Sequence, residues 1–228
     1  MDIALVTGGS GSFGTLLVDK LSRHFEVVNI DVSASAGLKL DVTNEADIDT
    51  ILQKYPRVKV LVNAAAVIKY NPIERISAAE WDAIFSVNVK GTFLMIKHLL
   101  PRLKESRGVI VNVSSITGRM PMVNALTYCT SKAAMDMITR VCSREFRPHG
   151  ITVFGISPAM MIDTENTQKK LGSLSRLKRL SVEDLLEQEK ETYPYVRGES
   201  VAGLLAYILS DEKIYRDLNG QIVNMGGY

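Results

Sequence analysis

Apolar residues fall along this chain in seven short runs, most of them separated by longer stretches in which apolar positions recur at helical spacing. The runs are IALVT at 3–7, VVNID at 27–31, LKLDV at 38–42, VKVLVNAA at 58–65, GVIVNVSS at 108–115, ITVFGIS at 151–157 and GQIVNM at 220–225. They are rich in β-branched residues and apolar at successive positions, the pattern of strands covered on both faces. Between them the pattern predicts helices at Phe13–Leu21, at Glu45–Lys54 after Thr43, at Ala78–Asn88 after Ser77, and at Ala125–Arg147, which Pro148 stops. Strands alternating with helices predict an α/β fold, a doubly wound parallel sheet of about seven strands. Only six residues separate Asp31 from Leu38, too few for a helical return, so the crossover between strands 2 and 3 is expected to be truncated.

Composition narrows the classes. No Pro, Gly or Ser-rich linker divides the 228 residues, so 1–228 reads as one domain, and 46% hydrophobic with 23% charged residues suits a packed core rather than a disordered chain. A net charge of +2 lacks the basic surplus of a nucleic-acid surface. No apolar run approaches the ~18 residues that span a bilayer, and the first strand begins too early for a signal segment, so no membrane and a cytoplasmic location are expected. Cys129 and Cys142 fall on one helix, about 20 Å apart at 1.5 Å per residue, beyond the ~7 Å reach of a disulfide. His24, His98 and His149 show no ligand spacing, and no metal is expected.

Candidate chemistry begins at TGGSGSFG, Thr7 to Gly14, directly after the first strand. A glycine turn opening a helix holds a phosphate on free backbone N–H groups, or is only a tight connection. Asp31 ends the second strand 23 residues after Gly8, where a carboxylate binds ribose hydroxyls in dinucleotide folds. It repels the extra phosphate of NADP, so NAD is the expected cofactor and NADP the less favoured one; the plainer alternative is a strand-end turn residue. Tyr128 and Lys132 share one face of a helix, where an ammonium favours the phenolate. That spacing is common and carries little by itself, but Ser114 and Ser115 stand at a strand end, with Ser115 thirteen residues before Tyr128.

Taken in order, the glycine turn, NAAA at 63–66, Asn88, Ser115 and Tyr128-x-x-x-Lys132 resemble the short-chain dehydrogenase/reductase family, over most of 3–162 and again from about 201. The resemblance implies a Rossmann fold and hydride transfer between a nicotinamide and an alcohol or carbonyl carbon. In it Tyr128 exchanges a proton with the substrate oxygen and Ser115 hydrogen-bonds the same oxygen. Lys132 lowers the tyrosine pKa and holds the nicotinamide ribose, and Asn88 holds a water in the proton relay; the alternative for Asn88 is a helix residue capping a local carbonyl. Ser114 reads as a structural hydroxyl. The implied cofactor-binding set is Gly8, Ser10, Gly11, Ser12, Phe13, Gly14, Asp31, Asp41 at the adenine, Val42 against its ring, Asn63, Ala64, Ala65, Pro158 and Ala159, with Tyr128 and Lys132.

Four departures stand out. The turn follows TGxxGxxG, the spacing of the family's larger two-domain members, with Ser12 in place of the middle glycine of TGxxxGxG. NAAA replaces NNAG, Ala159 follows Pro158 where the family has Pro-Gly, and Met225, Gly226 and Gly227 replace Asp-Gly-Gly. Met120, Met122, Met160 and Met161 fall in segments expected to border the reacting centre. The stretch 164–200 reads as a mobile helical lid for the substrate. Its Lys169, Lys170, Arg176, Lys178 and Arg179 form either a solvated surface or a basic rim, with Glu183, Asp184, Glu187, Glu189 and Glu191 following and Tyr193, Tyr195 and Arg197 at its end. The expected function is an NAD-dependent oxidoreductase for a small or moderately apolar alcohol or carbonyl substrate, a homodimer or homotetramer through the helices starting near Ala78 and Ala125. The alternatives are a non-catalytic NAD-binding regulator and a sugar-nucleotide epimerase or dehydratase that retains NAD.

Overall fold

The β-branched runs assemble into one all-parallel sheet in a computed structural model, which describes residues 1–33, 35–165, 167, 168, 171, 180–192 and 194–226, with Leu52 in its backbone alone. Its strands are β1 (Ile3–Thr7), β2 (Glu26–Asp31), β3 (Leu38–Lys39), β4 (Val60–Asn63), β5 (Val109–Val113), β6 (Thr152–Pro158) and β9 (Ile222–Met225). They lie in the order β3-β2-β1-β4-β5-β6-β9. The chain runs outward from β1 in one direction, then returns to its other side at β4, so the sheet has a switch point between β1 and β4. The residues between β2 and β3 make turns and no described helix, and β3 pairs with the end of β2 through Leu38 and Lys39.

Alternation along the strands fills both faces. Ala4, Val6, Val60, Val62, Val109, Val111, Phe154 and Ile156 point to one side. There they meet α1 (Ser12–Leu21), α7 (Gly198–Ser210) and α8 (Glu212–Asp217). Leu5, Leu61, Ile110 and Val153 point to the other, against α2 (Glu45–Lys54), α4 (Thr92–Ser106) and the end of α5 (Leu126–Glu145). The two-residue period of a strand sends neighbours to opposite faces, so burial on both sides demands the unbroken apolar runs.

Several expected boundaries move. The strands expected at 38–42, 58–65 and 108–115 stop short, because their last residues leave the ladder for turns at the carboxyl edge. The cap of α2 is Asn44, whose Oδ1 accepts from Ala46 N at 3.1 Å, rather than Thr43, whose own N–H and hydroxyl turn to Asp41. Ser77 caps α3 (Ala78–Phe85) through Glu80 N. That helix does not end at Asn88: a π-helical turn, Ser86–Gly91, carries it into α4. The continuous helix Ala78–Ser106 is long and apolar enough by length and composition to cross a membrane, although Lys90 and Lys97 interrupt its apolar residues. Here its apolar face, with Leu94, Met95, Leu99 and Leu103, is spent on the sheet.

The ends of the segment before α7 are held by a second, two-stranded sheet, β7 (Met160–Met161) beside β8 (Tyr195–Val196). Between them α6 (Val182–Thr192) carries Glu183, Asp184, Glu187, Glu189 and Glu191. Residues 198–200 belong to α7, so the segment is shorter than the 164–200 expected. Lys169, Lys170, Arg176, Lys178, Arg179 and Tyr193 lie outside the described residues, as does Gly227.

Candidate active site

The carboxyl ends of the central strands converge on a cleft of about 160 Å³. Ser115 leaves β5 and starts a short 3-10 turn, Ile116–Gly118, and its Oγ accepts from Thr117 N at 3.2 Å and from Thr117 Oγ1 at 3.0 Å. With both acceptor positions used, the hydroxyl proton of Ser115 is free to point away from Thr117 into the cleft that Ser115 lines. Tyr128 comes from the first turn of α5 and lines the same cleft. Ser114 turns inward instead, its Oγ donating to Lys132 O at 3.4 Å.

Lys132 sits one turn after Tyr128, almost fully buried at 2% exposure. Its Nζ donates to Val113 O at 2.8 Å and lies 5.5 Å from the Tyr128 ring centroid. Burial pushes the Lys132 ammonium down to about 8, against the attraction of Asp136. Burial also pushes the Tyr128 hydroxyl up to about 12, and the hydrogen bond from Ser115 offsets this only in part. The lowered tyrosine pKa expected from the Tyr-Lys pair is therefore not a property of the protein alone, because burial of the hydroxyl outweighs the interactions that favour the phenolate. Tyr128 holds its proton at neutral pH.

Asn88, at the π-helical turn, has its side chain fully engaged. Oδ1 accepts from Val67 N at 2.8 Å, and Nδ2 donates to Val67 O and to Ser131 Oγ, both at 3.0 Å. The amide fastens the segment after β4 to α5, and the main-chain carbonyl accepts from Thr92 Oγ1 at 3.0 Å. Asn63 is likewise turned away from the cleft: its Nδ2 donates to Asn112 Oδ1 at 2.9 Å inside the sheet, and Asn112 in turn donates to Thr139. As a side chain Asn63 joins β4 to β5 rather than facing a ligand.

The glycine turn can hold a dinucleotide. Gly8 takes φ +68°, and a Cβ there would lie 2.7 Å from Ala65 Cα; one on Gly14 would run into the Gly8 carbonyl. Ser12 and Phe13 open α1 at the cleft wall, and no side chain caps that helix start, which leaves its first N–H groups for an anion. Asp31 accepts from Ser10 N at 3.2 Å and from Ser33 N at 3.0 Å, and Asn29 donates to Ser10 Oγ at 3.0 Å, so the strand-end acid and the turn form one unit. Asp41 is occupied in its own turn with Thr43, and Val42 is buried against Gly91 of the π turn. Ala64 and Ala65 donate their N–H groups to Thr7 Oγ1, each at 3.1 Å, and neither takes a positive φ, so alanine suits that backbone.

Ala159, like Pro158, lines the cleft, and its N–H donates to Met225 O at 2.7 Å. Its methyl occupies the space a Cβ on Gly226 would need, and Gly226 takes φ +124°. The Ala159 methyl therefore requires a residue without a side chain at 226. Met120, Met122, Met160 and Met161 all line the cleft, and no charged side chain does among the described residues. Sequence reading missed Thr7, which fixes the Ala64–Ala65 backbone, and Thr117, which donates to Ser115 Oγ. A hydroxyl residue ending β1 and one following the strand-end serines are the signals that pointed to them.

The sequence matches the short chain dehydrogenase family model over residues 2–173. It is 31% identical to the cyclopentanol dehydrogenase of Comamonas sp. (strain NCIMB 9872), over 99% of this chain and 96% of that protein. In structure it is similar to an actinorhodin polyketide ketoreductase with NADPH, with TM-score 0.88 at 23% identity, covering 98% of this chain and 95% of the other. It is equally similar to an NAD+-bound xylitol dehydrogenase, with TM-score 0.88 at 20% identity, covering 100% and 98%. At these identities the two structures establish the fold and leave the choice between the cofactors open.

Proposed function

This chain belongs to the short-chain dehydrogenase family, and on that premise we propose that it is an NAD-dependent oxidoreductase interconverting a small or moderately apolar alcohol and its carbonyl partner. The observation that carries the reading is the cleft, in which the Ser115 and Tyr128 hydroxyls meet a wall of methionine, isoleucine and proline side chains without a charge among the described residues. A charged or phosphorylated substrate would lose its hydration there with no counter-charge among the described residues to replace it.

The nicotinamide cofactor, when bound, supplies the hydride acceptor or donor. The chain's own residues do the rest. The turn from Gly8 to Gly14 and the start of α1 hold the pyrophosphate, and the carboxylate of Asp31 meets the ribose hydroxyls and disfavours a 2′-phosphate. Ser115 gives a hydrogen bond to the substrate oxygen, aimed by Thr117. Tyr128 Oη carries the proton that this oxygen gains in reduction or loses in oxidation. Lys132 gives its remaining N–H bonds to the cofactor ribose, and the Asn88 carbonyl holds a relay water.

Titrating the purified protein with NADH and NADPH tests the cofactor, with tighter NADH binding expected; the reverse order overturns the NAD assignment. A panel of secondary alcohols, apolar and phosphorylated, then tests the cleft. Turnover of the phosphorylated members alone would overturn the substrate class, and binding without turnover of any member would favour a regulatory role.

The outer faces of α4 and α5 expose Phe93, Met137 and Val141, each more than half accessible, which supports a homodimer or homotetramer through these helices. Light scattering is expected to give a multiple of 25.2 kDa, and a monomer mass would refute it. A cytoplasmic location is part of the same reading. Recovery of the chain with membranes on fractionation would count against that.

A further inference from the structure

One buried ionisable group has no part in the mechanism above. Asp136 lies one helical turn beyond Lys132 and two beyond Tyr128 on the same face of α5. Its side chain is 4% exposed, and neither carboxylate oxygen has a hydrogen-bond partner. Arg119, from the loop after the Ser115 turn, places its Nε 3.8 Å from Asp136 Oδ2. The far end of the same guanidinium donates to Ser157 Oγ of β6 at 3.1 Å and to Asn224 Oδ1 of β9.

A carboxylate in such a place is costly. It has lost its water without gaining a donor, and an apolar side chain would fill the space at less cost. What it does have is charge in the right place. The groups facing Lys132 are the neutral Tyr128 ring on the same helix, the Val113 carbonyl from β5 and the Met135 sulfur, with Asp136 as the anion acting on it. The cation facing Asp136 from outside α5 is Arg119.

We propose that Asp136 is a positioning residue for the reaction: its buried charge, anchored on the solvent side by Arg119, keeps Lys132 an ammonium. The inference rests on the reading of Lys132 as part of the reacting set. A neutral amine would lose both the third N–H that a ribose hydroxyl needs and the charge that favours the Tyr128 phenolate. Burial works toward that neutral form and Asp136 works against it. Because Arg119 also ties the ends of β6 and β9, which lead to Ala159 and Gly226, the same guanidinium joins the cleft wall to the charge behind the lysine.

The test is a direct titration of Lys132 in protein carrying 13C at the lysine Cε, with the Lys132 resonance identified by its loss in Lys132→Met. In Asp136→Asn the midpoint is expected to fall by about one pH unit, a tenfold loss of proton affinity, and in Asp136→Glu to return toward the native value. In Arg119→Gln, which removes a cation, the midpoint is expected to rise. In turnover assays the high-pH limb of Asp136→Asn should move down with the midpoint. An unmoved midpoint in Asp136→Asn overturns the proposal, even if activity falls evenly at every pH, since that would mark a structural role. Should Asp136→Asn not fold, an unmoved midpoint in Asp136→Leu, which fills the space without a charge, overturns it instead. The titration needs no substrate, so absence of turnover in the native protein would defeat the enzymatic reading while leaving the Asp136–Lys132 coupling decided.

Discussion

Tyr128→Phe is expected to lower turnover by about 10²–10⁴-fold, the usual contribution of a positioned acid or base, with NADH binding changed by no more than a few fold. The substitution removes one oxygen and leaves the ring in the cleft. Lys132 keeps its bond to the Val113 carbonyl, and the glycine turn is untouched. The direction of the reaction should also separate by pH. With burial holding the Tyr128 hydroxyl up at about 12, the tyrosine is protonated across the neutral range, so reduction, which consumes that proton, should be nearly level there. Oxidation needs the deprotonated form and should climb about tenfold per pH unit until the group titrates in the complex. Retained turnover in Tyr128→Phe, or an oxidation rate that falls as pH rises through neutrality, would remove Tyr128 from the proton-transfer role.

Gly14→Ala should have the second largest effect, acting on the fold and on the cofactor together. A Cβ at this position meets the Gly8 carbonyl oxygen, and it also approaches Gly9 Cα to 2.7 Å and the Gly8 carbonyl carbon to 2.8 Å. All are backbone atoms of the turn itself and cannot rotate aside. The expected cost is about 1–3 kcal/mol, the usual range for overpacking, which for a domain of this size lowers Tm by about 2–4 °C per kcal/mol. Opening the turn also displaces the N–H groups at the start of α1, so NADH affinity should fall by about tenfold or more, equivalent to roughly 1.4 kcal/mol. Gly11→Ala is the control: its Cβ would meet only the Gly8 oxygen, at 3.2 Å, and a shift of a few tenths of an ångström relieves it. Equal loss in both variants would show that the turn does not hold the cofactor by close approach.

The two predictions draw on different levels of the molecule. Tyr128 and Lys132 could be paired from their spacing alone, because i and i+4 on a helix share a face whatever the fold. The state of their protons could not, because it follows from how much water the assembled sheet and helices exclude. The glycine turn was readable as a pattern with two meanings. Its geometry became definite only once Asn29 and Asp31 from β2 and Ala65 from the segment after β4 came to pack on it.

By itself the sequence determined the seven strands of the main sheet, the lack of a described helix between β2 and β3, the Ser77 cap and the gathering of strand-end residues such as Ser115 along one edge. These depend on short-range periodicity, on chain lengths too small for a crossover, and on strand ends that a parallel sheet gathers along one edge. Tertiary structure decided where polar side chains spend their hydrogen bonds. Asn63 turned into the sheet and Asn88 to the Val67 backbone, because a buried amide must find partners and those partners lie on other elements. It decided that α3 continues through a π turn into α4, where Asn88 meets Val67 and Ser131. It also brought Arg119 between Asp136 and Asn224. A local pattern carries no record of such distant pairs, because charge and hydrogen bonding act through space while sequence periodicity reports only the chain's own turn and pleat.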